Sequence, residues 1–353
     1  MREGRADVRR AVLSLAFVGL AGCSGNVRAR LEEPFPKKLS AWKLFTGAAA
    51  ELHPNFGVVP YDLNTTLFTD YATKRRHVWM PPGTAATYKG DDTFEFPKGT
   101  ILVKTFSYPE GARERLIETR LLVNAKDGWV ALPYVWNAAQ TDATLDVNAD
   151  PVDVQWNGEV IHYAIPNSNQ CRECHDQSRT TGPIGPKARH LNRDFDYPEG
   201  RFNQLAYWTK IGYLRDAADP SRIAKQAVWN EPATGTLDER ARAYLEVNCA
   251  HCHSPNGSAS NTGLYLTDLQ ADAMRLGFCK TPVSAGKASA GLLFDAVRGH
   301  PELSILAHRM ESNEPKVMMP EIGRTLVHRE GAELIRQWLA SMEGGCEASR
   351  PAM

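Results

Sequence analysis

The sequence predicts an α+β fold: a β-rich N-terminal domain of sandwich or barrel type, followed by an α-helical region. Three observations predict it. Between residues 93 and 164, short runs rich in β-branched and aromatic side chains recur, separated by turn signals. Beyond residue 233 a helix-start signal and an apolar helical face appear. The composition is that of an ordinary globular chain, 353 residues with 42% hydrophobic and 23% charged, enough for two or three domains and a sizeable core. Basic and acidic residues balance at 41 each, which argues against nucleic acid as a partner, because phosphate binding needs a basic excess or stripe. No apolar run reaches the roughly 18–20 residues that span a bilayer.

In chain order, residues 1–22 read as a secretory leader. Arg2, Arg5, Arg9 and Arg10 precede an apolar run from Ala11 to Gly22. The run ends at Leu20-Ala21-Gly22-Cys23, which resembles the bacterial lipoprotein signal box, with Cys23 lipidated as the first mature residue. The expectation is a periplasm-facing protein anchored to a membrane without spanning it. Ser24 after Cys23 favours the outer membrane over the inner. Without residues 1–22 the chain carries 37 Lys+Arg against 39 Asp+Glu, a net charge of −2. Residues 23–40, with Pro34-Phe35-Pro36-Lys37-Lys38, read as a tether.

Residues 41–165 read as the β-rich domain. Its strand-like runs are Thr93–Phe96, Thr100–Phe106, Arg115–Val123, Trp129–Trp136, Ala143–Val147 and Val160–Ala164. Ala125-Lys126-Asp127-Gly128 is a hairpin signal. Tyr108, Trp129, Tyr134 and Trp136 read as core rather than pocket.

Seven cysteines carry most of the functional signal. Cys171-Arg172-Glu173-Cys174-His175 and Cys249-Ala250-His251-Cys252-His253 are both C-x-x-C-H, the c-type haem attachment pattern. Composition alone predicts about 0.004 such motifs. The two thiols of each motif form thioethers to haem vinyls, and the following imidazole lies under the iron. A single zinc site built from both cysteine pairs is the competing reading. Zinc ribbons usually separate their pairs by about 15–20 residues, whereas 74 positions, residues 175–248, lie between these. The cofactors expected are therefore two covalently bound haem c groups. His175 and His253 are the proximal ligands, in a haem 1 segment, 166–232, and a cytochrome c-type haem 2 domain, 233–346.

Thr236-Leu237-Asp238-Glu239 is a capping box opening a helix into the second motif. Downstream, Met318-Met319-Pro320 precedes a helix with Leu334, Ile335, Trp338 and Leu339 on one face, and Met319 is the expected sixth ligand of haem 2. No methionine lies between Cys171 and Thr236, so the distal position of haem 1 stays open among His190, Met80, His77, His162 or no ligand. Lys187, Arg189 and Arg193 read either as partners of haem propionates or as solvated charge. Cys279 and Cys346, outside both motifs, pair most simply as a disulfide in an oxidising compartment. There is no phosphate-cradling loop, no G-x-S-x-G and no H-E-x-x-H.

With both motifs in hand, the sequence resembles a poorly characterised family of bacterial di-haem c-type cytochromes. The resemblance runs through Phe96-Pro97-Lys98-Gly99-Thr100, Ile117-Glu118-Thr119-Arg120, Asn169-Gln170, Leu191-Asn192-Arg193-Asp194, Asn248 with the second motif, and Met318-Met319-Pro320 to Arg324 and His328. It implies an exported electron-transfer protein serving redox partner proteins of the cell envelope. Members are often encoded beside a parallel β-helix repeat protein, which the resemblance suggests as a partner. The alternative function is a di-haem peroxidase or oxidase with an open, reactive haem 1. The 78-residue offset from Cys171 to Cys249, shorter than in bacterial di-haem peroxidases, and the β-rich half argue against it.

Overall fold

In the computed structural model, which describes residues 25–148 and 150–346, the β-branched runs pair into one six-stranded antiparallel sheet. Its strands are neighbours in chain order: β1 (Val59–Tyr61), β2 (Thr73–Trp79), β3 (Ile101–Glu110), β4 (Arg113–Ala125), β5 (Gly128–Trp136) and β6 (Ala143–Leu145). Lys126 and Asp127 form the two-residue turn between β4 and β5, closed by the Ala125–Gly128 pair, as the sequence predicts. Alternation puts Ile101, Val103, Leu121 and Val123 on one face, packed against Leu39, Trp42 and Leu44. Tyr134 is fully buried there and accepts from Trp42 Nε1 at 2.7 Å.

The fold is mixed α+β, but the expected sandwich or barrel is corrected: this sheet is open, with β1 and β6 at its edges. It needs neither closure nor a second large sheet, because irregular segments, short helices and two-stranded hairpins cover its faces. Two strands of this sheet, β1 and β2, escaped the sequence reading. In β2, Lys74, Arg75 and Arg76 stand in a row and mask the alternation. The expected strand Thr93–Phe96 makes only isolated bridges, Thr93 with Lys187 and Glu95 with Thr87.

The sheet's second face is covered at its two ends by different segments. At one end the hairpin β7 (Val152–Trp156) and β8 (Glu159–Tyr163) packs over Phe106 and Tyr108. After α1 (Ser168–His175), a segment containing α2 (Ala188–Leu191), the hairpin β9 (Asp194–Tyr197) and β10 (Gly200–Asn203), and α3 (Gln204–Lys210) covers the other end. There Leu191, Leu205 and Trp208 bury Val78, Leu102 and Leu122.

The C-terminal part is built from α4 (Leu237–Leu245), α5 (Ile305–Glu311) and α6 (Arg329–Ala340). The Thr236–Glu239 capping box is formed in both directions, satisfying two orphan amides of α4. The α6 face expected from sequence is buried, and Trp338 Nε1 donates to Asp238 Oδ1 at 2.7 Å, locking α6 to α4. The helices touch at Gly331, where a Cβ would stand 2.4 Å from the Tyr244 ring. Cys279 and Cys346 form the expected disulfide and return the segment after α6 to this core. Cys23 and the leader 1–22 lie outside the described residues. Among those described, no helix is long and apolar enough to cross a membrane.

Candidate functional site

The first motif sits at the end of a short, well-capped helix. Asn167 and Gln170 cap α1 reciprocally, each side chain accepting from the other's amide at 3.0 Å. The helix sets Cys171 and Cys174 about one turn apart and ends at His175. The chain then turns back, so that His175 Nδ1 donates to the Gly182 carbonyl at 2.9 Å. A carbonyl can only accept, so the tautomer is settled and Nε2 keeps its lone pair. Burial, with Lys104 and Arg120 adding to it, pushes the imidazole down to about 4, so it is neutral at pH 7.

The second motif begins in a π-helical turn, Glu246–Ala250, that continues α4 and carries Cys249. The Thr262 hydroxyl spends its proton on the Ala259 carbonyl at 2.7 Å. Its oxygen therefore accepts from His253 Nδ1, at 3.4 Å, and again Nε2 is left free. Burial pushes His253 down to about 4 as well. Both imidazoles are thus neutral, with one nitrogen anchored and the other available, as a metal-ligating histidine requires.

Residues 74 to 78 positions apart in sequence are side by side here. Gln177 Nε2 donates to the His251 carbonyl and Ser178 N to the Asn256 carbonyl, both at 2.8 Å. Cys174 Sγ, Cys252 Sγ and a His251 ring nitrogen lie within 4.8 Å of one another. The facing sulfurs of Cys174 and Cys252 push their thiols in opposite directions, Cys174 up and Cys252 down. His251 Nδ1 is buried and has no hydrogen-bond partner among the described residues.

A cavity of about 640 Å³ lies against both motifs, within the roughly 300–1,000 Å³ usual for a bound cofactor or ligand. Cys171, Cys174, His175, Cys249 and Met319 line it; Met318 does not. Cys252 and His253 stand outside its wall, although they adjoin its lining residues in sequence. The Met319 loop is held by backbone acceptors: Arg324 donates to the carbonyls of Met319 and Ser312 at 2.8 Å and of Leu326 at 2.9 Å. Asp70 accepts from the amides of Thr325 and Leu326 at 2.8 Å, tying this loop to the N-terminal region.

The residues expected as candidate distal ligands at the first motif separate cleanly. His190 lines the cavity, buried, with Nε2 3.4 Å from Glu246. Met80 is core between the sheet and α3, His77 lies on the opposite sheet face against Phe45, and His162 is exposed and paired with Asp153. Lys187 and Arg189 are neither solvated nor free: both bind Glu246, while Arg193 donates to the Leu63 carbonyl. Burial alone would raise the Glu246 carboxyl, but His190, Lys187 and Arg189 hold it well below the usual range.

Two groups of wall residues escaped the sequence reading. His251 was visible only as a second imidazole inside the second motif, and Arg76, Lys104 and Arg120 come from three different strands. The first motif meets the requirements of a covalent haem on these observations: paired thiols, a neutral anchored imidazole and an adjoining cavity. The second meets them in part, with Cys249 and Met319 on the shared wall. No family model matches this chain, and no curated protein and no solved structure matches it.

Proposed function

We propose that the chain is a di-haem c-type cytochrome, a lipid-anchored envelope protein that passes electrons between partner proteins. One observation carries the reading. Two C-x-x-C-H motifs far apart in sequence converge on one cavity, and both motif histidines have Nδ1 anchored and Nε2 free. Cys171 and Cys174 would hold one haem with His175 as ligand; Cys249 and Cys252 would hold the other with His253. Bound haem supplies one-electron chemistry at iron, and a thioether ligand raises its potential. Met319 is the methionine of the loop that reaches the shared wall. Anchoring of each imidazole by Gly182 or Thr262 keeps the ligating nitrogen unprotonated and fixes the ring against rotation. The lipid anchor rests on the Cys23 signal in the sequence, and the envelope partners on the family resemblance.

A second reading has its own observation: Cys174, His251 and Cys252 offer two sulfurs and one nitrogen within 4.8 Å, a donor set suited to zinc. Intact-mass spectrometry of the protein expressed with a c-type maturation system decides between them. Two covalent haems, falling to one in C171A/C174A and to one in C249A/C252A, are expected. No added haem mass, with one equivalent of zinc in native spectra, overturns the cytochrome reading. In the di-haem protein, a low-spin spectrum unchanged by peroxide, CO or cyanide excludes the peroxidase alternative.

A further inference from the structure

Between its two covered ends, the second face of the sheet changes character. Leu102 and Leu122 lie under the α2–α3 segment, and Phe106 lies under the β7–β8 hairpin. Between them the register places Arg76 of β2 opposite Lys104 of β3, and Lys104 opposite Arg120 of β4. Three cations thus stand in one cross-strand row, and all three line the cavity beside the first motif. Like charges directly opposite one another destabilise a sheet, so the row needs anions.

The protein supplies only part of them. Arg76 Nη1 donates to Asp62 at 2.8 Å, and Arg120 Nε donates to Glu118 at 2.8 Å. Arg76 is 5% exposed, yet its Nη2 is buried without a hydrogen-bond partner among the described residues. Lys104 has no carboxylate partner among those residues; its ammonium lies 4.9 Å from the centre of the Phe106 ring. Burial first, then the charges of Arg76, Lys74 and Arg120, holds that ammonium well below the usual lysine range, against a smaller opposing pull from Glu118.

We infer that the Arg76–Lys104–Arg120 row is a carboxylate-binding wall that receives the propionates of the haem held by Cys171, Cys174 and His175. The inference rests on the haem reading and replaces Lys187, Arg189 and Arg193 in that role, since those side chains are already engaged. Charge-assisted hydrogen bonds from Lys104 Nζ and Arg76 Nη2 would complete both groups.

The test uses the full chain with Cys171 and Cys174 replaced by alanine, so that porphyrin binds at His175 without covalent attachment. Ferric haem and haem dimethyl ester, which lacks free carboxylates, are titrated separately and followed by the Soret shift. The free acid should bind about tenfold tighter or more, and Lys104→Met should remove most of that preference while Lys104→Arg retains it. Equal binding of the two porphyrins overturns the assignment, and this comparison needs no variant of the row. Acetate or phosphate competing with neither porphyrin is expected. If either ion binds the ester complex in a Lys104-dependent way and no preference exists, the wall serves a free oxyanion instead. Binding of neither porphyrin overturns the underlying haem reading, and this assignment with it.

Discussion

Replacing Glu246 by alanine should cost the protein about 3 kcal/mol, the lower end of the cost of breaking a buried ion pair. Its side chain is 3% exposed and accepts from Lys187 Nζ at 2.7 Å, from Gln226 Nε2 at 2.9 Å and from the Arg189 guanidinium. Removing the carboxylate leaves Arg189, 4% exposed at its side chain, and Lys187 without their principal partner. The lower end applies because Arg189 Nη1 keeps its 2.8 Å bond to the Asp91 carbonyl. Glu246 begins the turn that carries the second motif, while Lys187 and Arg189 belong to the segment after the first, so the loss loosens the junction between them. The pH dependence has a definite sign. The folded-state carboxyl sits below its unfolded value, so its stabilisation is complete above the unfolded range near pH 4 to 5 and disappears as pH falls through the folded value. Urea titration of wild type and Glu246→Ala should show the full difference at pH 7 and a smaller one at pH 3. A difference below about 1 kcal/mol at pH 7, or one that grows on acidification, refutes the buried-clamp reasoning.

Two further outcomes follow from the C-terminal part. Cys346→Ser removes a cross-link between positions 67 apart and should lower stability by about 4 kcal/mol in the loop-entropy account; a shift in denaturation midpoint worth less than 1 kcal/mol would contradict it. In the holoprotein, Met319→Ala should abolish the methionine-to-iron absorption band of one haem and lower its potential. An unchanged spectrum rejects Met319 as ligand.

The sequence was most informative where structure is decided locally. The Lys126-Asp127 hairpin turn, the Thr236–Glu239 capping box and the buried stripe Leu334-Ile335-Trp338-Leu339 were all legible, because each depends on residues within one turn or one hairpin. The Cys279–Cys346 bridge was legible by elimination, once the motifs had claimed four of the other cysteines. The cluster of cations in β2 hid a strand whose burial becomes visible only when Arg76 finds Asp62 and the cavity. Likewise Lys187 and Arg189 read equally as propionate partners or as solvated charge until Glu246, more than 50 positions away, arrived beside them.

Sequence alone therefore determined the chemistry on offer: two thiol pairs, each followed by an imidazole, a methionine loop before a final helix, and one spare cysteine pair. Tertiary structure decided which of those groups meet. It brought the two motifs together, gave His251 a place beside Cys174 and Cys252, and aligned three cations from separate strands along one wall. The reason is physical. A helix cap or a hairpin is stabilised by near neighbours and leaves a periodic trace, whereas contacts between distant segments are set by packing and strand register, which leave none.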